Sequence, residues 1–206
     1  MINSDLYKNL SNLNKRIAVA GHICLDIIPP FDGSKKNFDK LILPGKLIEV
    51  GPAMISSGGA VSNTGLALHR LGVPIILIGK LGSDFFGKII LDLLNSQDPA
   101  LTEGMIISAK SNTAYTVVIS PPGSDRLFLH FPGANDDFSS ADICEIGLNG
   151  IDIFHFGYPP LMRQMYQDEG RELEALFRWV QNQGITTSLD LAKPDPESEA
   201  GSVDWK

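Results

Sequence analysis

Short apolar runs and amphipathic stretches alternate along this chain. Residues 16–20 (RIAVA) form an apolar run that stops at Gly21, the pattern of a buried strand. Residues 22–30 then read as a loop and 31–44 as irregular, charged sequence. Residues 46–50 and 53–56 read as two short strands about Gly51-Pro52. From Ser57 the period changes. Ala60, Leu66, Ala67, Leu68 and Leu71 fall together on a helix face, and Gly72 is a natural C-terminal stop. Residues 75–82 (IILIGKLG) are a second buried strand. Ser83 or Asp84 caps a helix that runs to about Leu94, and residues 104–108 form another strand. Residues 113–120 and 126–131 flank PPGSD and read as a hairpin. A short helix from about Ser139, a strand at 152–156, a long helix over about 164–183 stopped by Gly184, and a strand at 185–191 complete the pattern. The tail from 192 is polar and rich in turn residues, and residues 1–14 form a loose leader.

Alternating strands and helices predict an α/β fold, a parallel sheet with helices on both faces. The additional strand pairs fall outside that alternation. They predict a small accessory sheet, placed as a lid over the active face and built from segments at about 31–56 and 113–132. Its strand edges need cover, which another subunit's lid would supply in a homodimer.

Composition narrows the function classes. The chain has 206 residues, 43% of them apolar and 20% charged, enough for a sizeable core. Its formal net charge of −7 argues against nucleic acid or an anionic membrane as the main partner. The N-terminus lacks the apolar stretch of a signal peptide, and no apolar run is long enough to cross a bilayer, so a cytoplasmic protein is expected. Cys24 and Cys144 lie far apart without metal-binding spacing and read as buried small hydrophobes. His22, His69, His130 and His155 are scattered over different elements without ligand spacing, so no metal site is expected. His155 reads as a core or pocket-wall residue.

The candidate chemistry gathers around Gly58-Gly59-Ala60-Val61-Ser62-Asn63. Paired glycines before a helix let backbone approach a ligand closely, and the helix start adds N–H groups and a positive dipole end. Asn63, one turn in, offers a donor and an acceptor. The same glycines suit a tight loop that serves only packing, and spacing leaves both readings open. Asp26 follows the first strand, where ligands of parallel sheets bind, and its carboxylate can hold vicinal hydroxyls of a sugar. Gly82-Ser83-Asp84 reads as a strand exit and helix cap, a structural motif.

Residues 57–87, SGGAVSNTGLALHRLGVPIILIGKLGSDFFG, resemble the N-terminal signature region of the ribokinase (PfkB) carbohydrate kinases. The shared features are the glycine pair, the nearby Asn, a small-residue helix, a Leu-Gly and a G-x-D-x-x-G segment. Upstream, Gly21 to Asp26 stands where that family puts a sugar-binding aspartate. Residues 46–56 and 113–131 stand where it inserts lid strands, and DIFHFGY at 152–158 fits as well. The resemblance implies a three-layer ribokinase-like domain over residues 15–206, a carbohydrate kinase using ATP and magnesium. Asp26, Gly58, Gly59 and Asn63 would line the sugar pocket, with Gly157 at its edge. Thr113, Tyr115 or Phe128 would close over it from the lid, and Asp190 would lie near the phosphates.

The family's second signature, a G-A-G-D-type loop carrying the general base, is absent from residues 1–206. The chain is therefore expected to be the sugar-binding portion of a longer kinase whose C-terminal part is missing, with its base beyond Lys206 and no turnover alone. A nucleoside kinase of the same family, with lid aromatics stacking on a base, and a non-catalytic sugar-binding pseudokinase are the alternatives. A dinucleotide-binding Rossmann protein is disfavoured, since no G-x-G-x-x-G follows the first strand.

Overall fold

The computed structural model describes residues 15–31, 43–121, 123 and 125–205. In chain order the elements are β1 (Ile17–Gly21), β2 (Cys24–Ile28), β3 (Met54–Gly58), α1 (Gly59–Arg70), β4 (Ile75–Gly82), α2 (Phe85–Asn95) and β5 (Met105–Ser108). They continue with β6 (Tyr115–Ile119), β7 (Leu127–Phe131), α3 (Ser140–Ile146), β8 (Ile153–Gly157), α4 (Arg163–Tyr166), α5 (Arg171–Gln181) and β9 (Thr186–Asp190).

Five strands form a parallel sheet in the order β5-β4-β1-β8-β9, and four form a second sheet in the order β3-β2-β6-β7. Side chains alternate across the parallel sheet. One face sends Ala18, Ala20, Phe154 and Phe156 against Leu176 and Val180 of α5 and Ile143 of α3. The other sends Val19 and Leu77 against Val61 and Leu66 of α1 and Ile90 and Leu94 of α2. Each fully buried Leu, Ile or Phe contributes roughly 1.5–3 kcal/mol relative to exposure. The two cores make the three-layer α/β architecture expected from the sequence. The start of α3 is tied to β4 by Lys80, whose ammonium lies 3.0 Å from Asp142.

Several local expectations are corrected. Residues 22–30 are not simply a loop, because β2 occupies Cys24–Ile28. Asp26 interrupts an apolar run there and masks a two-residue alternation, Cys24 and Asp26 on one face, Leu25 and Ile27 on the other. Residues 46–50 form no strand, and Leu47 is 95% exposed. The accessory sheet therefore uses β2 and β3 rather than a continuous 31–56 segment, and residues 32–42 lie outside the described residues. So does the leader at 1–14. The buried face of α1 is Ala60, Val61, Gly65 and Leu66, while Ala67 and Leu71 face outward.

The expected single helix over 164–183 is broken between α4 and α5. Asp168 and Glu169 (φ 50° and 60°) and Gly170 (φ 76°) take left-handed conformations that stop the first helix and restart the second. Of the two cysteines, Cys24 is buried but Cys144 is exposed. Among the described residues no helix is long and apolar enough to cross a membrane.

Candidate functional site

The parallel strands β1 and β8 run side by side to Gly21 and Gly157, and β8 pairs with β9 to Asp190. At this carboxyl edge the chain leaves β1 through His22 and Ile23 into β2 of the lid. That corner is clamped by buried Asn135, which accepts from the Ile23 N–H (3.1 Å) and donates to its carbonyl (2.9 Å). The clamp satisfies backbone groups that would otherwise be buried without partners. It fixes where β2 begins, and hence where Asp26 points.

β2 pairs antiparallel with β3, setting Asp26 opposite Ser56 and Cys24 opposite Gly58. Gly58 is where the close approach occurs, since a Cβ there would fall on the Asp26 carboxylate. The next residue, Gly59, opens α1 with φ +84°, and a Cβ on it would meet the His22 carbonyl and ring. Both glycines are therefore required by geometry, one by crowding and one by backbone conformation as well. No side chain caps α1, and its first turn carries no acidic residue. Asn63 lies one turn in and is exposed. The structure thus brings Asp26, Gly58, Gly59 and Asn63 to one helix start. Gly157 joins them from below, packed so closely on Ala60 that a Cβ would overlap it. Asp190 is its register partner on β9, and its carbonyl accepts from the Tyr158 N–H (2.8 Å).

Half-burial of the Asp26 carboxyl pushes its pKa above the usual carboxylate range, and the Cys24 thiol, donating to Oδ1 at 3.3 Å, pulls it back. Burial disfavours the charged form of a carboxyl because the carboxylate loses water. A polar chain that sequence reasoning missed lies beside it. Thr116 on β6 touches Cys24 Sγ (3.7 Å) and His130 Nδ1 (2.9 Å), and His130 Nε2 lies 3.4 Å from His22 Nε2. The Tyr158 ring is 6.2 Å from that of His22. Burial, then the neighbouring His130, lowers the pKa of His22 to about 3, and burial lowers that of His130 too. The period-two spacing of Cys24 and Asp26 was the one available signal. Pairing of His22 with His130, 108 positions apart, had none.

The lid residues divide. Tyr115 pairs with Leu25 and Phe131, one step out of phase with Asp26, Thr116 and His130, so it faces the opposite side of the sheet. With Asp84, Phe85, Phe86, Asn112, Thr113 and Phe131 it lines a separate cavity of about 470 Å³. The Thr113 hydroxyl is committed there, accepting from the Gly82 N–H at 2.9 Å, while the Thr113 N–H donates to Asp84 at 2.6 Å. Thr113 and Tyr115 therefore face that cavity rather than Asp26, Tyr115 by strand phase and Thr113 through its bonds to Gly82 and Asp84. Phe128 shares the Asp26 face but on the outer strand, 51% exposed, with the Arg126 guanidinium 5.4 Å from its ring centre. The expectation that His155 is a pocket-wall or core residue meets a half-buried ring bonded through Nδ1 to Ser188 (3.0 Å).

Known proteins were compared with this geometry. The profile of the pfkB family carbohydrate kinases matches residues 14–184. Fructokinase-2 of Zea mays is 26% identical over 203 residues, covering 94% of this chain and 56% of its own length. Ribokinase of Bacillus subtilis is 28% identical over 129 residues, 62% of this chain and 40% of its own. A solved fructokinase from Xylella fastidiosa with bound ATP superposes with a TM-score of 0.65 at 24% identity, covering 87% of this chain and 49% of that one. The chain spans about half the length of the curated relatives it matches.

Proposed function

The chain belongs to the pfkB family of carbohydrate kinases, and from that premise we propose that it forms the sugar-binding portion of an ATP-dependent kinase acting on a sugar hydroxyl. The observation that carries this reading is the Asp26 carboxylate seated on Gly58 at the uncapped start of α1. An acidic acceptor beside a helix start that no side chain caps, with Asn63 offering both polarities, suits a polyhydroxylated ligand. The relatives named fructokinase and ribokinase direct the substrate towards a ketohexose or pentose. In this proposal the site is Asp26, Gly58, Gly59 and Asn63, with Gly157 beneath and Phe128 at its outer margin.

ATP and magnesium belong to the same proposal. Magnesium bound mainly through phosphates and waters takes one or two protein carboxylates. Asp190, at the end of β9 and in register with Gly157, is suited to that role. Bound there, the ion would neutralise phosphate charge. In-line transfer also requires a base to accept the hydroxyl proton. We place that base outside residues 1–206, so this chain binds sugar without turnover. Ile55, Leu127, Leu129 and Phe131 lie on the lid face away from Asp26 and are exposed, which supports a homodimer through the lid.

A thermal-shift screen with D-fructose, D-ribose and adenosine tests the reading. A ligand that binds the folded state raises the midpoint. One of the sugars is expected to do so, and Asp26→Ala is expected to abolish the response while still folding. A response to adenosine alone favours the nucleoside kinase, for which Phe128 offers an exposed ring on the correct face. No response to any of the three refutes the site.

A further inference from the structure

Five side chains, four on the lid sheet and His22 in the corner leading into it, form a continuous polar line ending on Asp26, and its proton directions can be worked out from the chemistry of each group. An ionised carboxylate only accepts, so the contact between Cys24 Sγ and Asp26 Oδ1 is S–H to oxygen. With its single proton used, Cys24 Sγ can only accept from the Thr116 hydroxyl. Thr116 has then spent its own proton, so the 2.9 Å contact with His130 runs from Nδ1–H to Oγ1. A neutral imidazole has one N–H. His130 Nε2 is therefore bare and accepts from Nε2–H of His22. His22 Nδ1 must then be a bare lone pair. It is buried, without a hydrogen-bond partner, and packed on Gly59, at 2.6 Å from where a Cβ on that residue would stand.

Burial is consistent with the protonation states used for the two imidazoles and the thiol. It keeps both imidazoles neutral, and together with the Asp26 charge it pushes the Cys24 thiol far up, so the S–H persists as a donor. The strand partners of Asp26 are neutral, Ser56 on β3 and Thr116 on β6.

We propose that Cys24, Thr116 and His130 are positioning residues for Asp26: a one-directional line of hydrogen bonds from His22 delivers a donor to Oδ1 and leaves Oδ2 as the acceptor for a ligand hydroxyl. Among the described residues Oδ1 is the oxygen that holds a side-chain donor, which fixes the plane of the carboxylate. The line also crosses from the corner after β1 to the far lid strand β7, so it ties the position of the lid to the carboxylate. This inference rests on the sugar-site reading for its purpose, though its hydrogen-bond directions do not.

The test is nuclear magnetic resonance on the whole chain. In the wild type, ¹⁵N shifts are expected to show His22 protonated on Nε2 and His130 on Nδ1. A proton on His22 Nδ1, or on His130 Nε2, overturns the proposal. The Asp26 carboxyl carbon is expected to titrate at higher pH in Cys24→Ala and to return in Cys24→Ser, whose hydroxyl donates in the same place. An unmoved titration overturns it. In Thr116→Val, the His130 Nδ1 shift is expected to move as its Oγ1 acceptor is lost, and an unmoved shift counts against the line. If D-fructose or D-ribose binds, Cys24→Ala is expected to weaken it three- to tenfold with Cys24→Ser near wild type. Full affinity in Cys24→Ala overturns the positioning role while leaving Asp26 in place. Should neither sugar bind the wild type, the site reading fails, and the tautomers and titration still decide the line.

Discussion

The starts of α1 and α2 look alike in sequence, each a short helix entered from a strand through glycine, yet they are opposites in structure. At α2, Asp84 accepts from the Gly87 N–H at 2.8 Å and from the Thr113 N–H at 2.6 Å. Burial pushes the Asp84 pKa up, but those backbone donors outweigh it and hold the carboxyl below its usual range. At α1 no side chain caps the helix, and the neighbouring carboxylate, Asp26, comes from the adjacent strand β2 and has its pKa raised. One helix start is capped by its own acidic side chain; at the other no side chain caps, and the Val61 N–H donates to the His22 carbonyl at 3.1 Å. A glycine near a helix N-terminus therefore signals a ligand only where no local acid consumes the free N–H groups.

Three substitutions sharpen the contrast. Thr113→Val strips the buried Gly82 N–H of its acceptor. Leaving a buried donor unsatisfied costs about 2 kcal/mol, or roughly 4–8 °C in a chain of this size. Calorimetry is expected to show that loss with the sugar response intact. A lost sugar response would tie the two helix starts together. Asp84→Ala removes the α2 cap and is expected to cost about 1 kcal/mol, read as a lower urea midpoint at neutral pH. Because the folded pKa of Asp84 is lowered, its contribution is complete above the unfolded carboxylate value of about 4. It is lost as pH falls through the folded value. The gap between variant and wild type should thus close on acidification below that range, and a gap that widens would contradict the capping geometry. Asn63→Ala, exposed on α1, is expected to leave the midpoint unchanged while weakening the sugar roughly two- to tenfold, the worth of one neutral hydrogen bond. Equal loss of stability would make Asn63 part of the fold rather than the site.

Much of the frame was legible because its signals are local. β1, β4 and β8 are apolar runs stopped by glycine, and α2 announces its cap at Asp84. The hairpin β6–β7 brackets its turn residues. What failed depended on distant partners. β2 looked like a loop until β3 and β6 paired with it. Residues 46–50 have strand composition but find no partner strand among the described residues. The single long helix ignored three consecutive left-handed residues, which no hydrophobic period reveals. In the site, Asp26 and the glycine pair could be singled out, since carboxylate and close-approach chemistry are residue properties. Tyr115 and Thr113 were grouped with them through the lid that the family resemblance implies, but strand phase turns Tyr115 away and hydrogen bonds to Gly82 and Asp84 hold Thr113.

The order of apolar and amphipathic segments, by itself, determined a parallel α/β layer structure with an accessory sheet, because burial and hydrogen bonding leave few ways to fold that pattern. It also supplied the chemical types that meet at the edge of the sheet. Only the tertiary structure decided which face of the lid looks at that edge, that Gly58 lies under Asp26, and that His22 and His130 meet. Those contacts join segments separated by up to 108 residues, and their register is set by pairing partners rather than by any local preference.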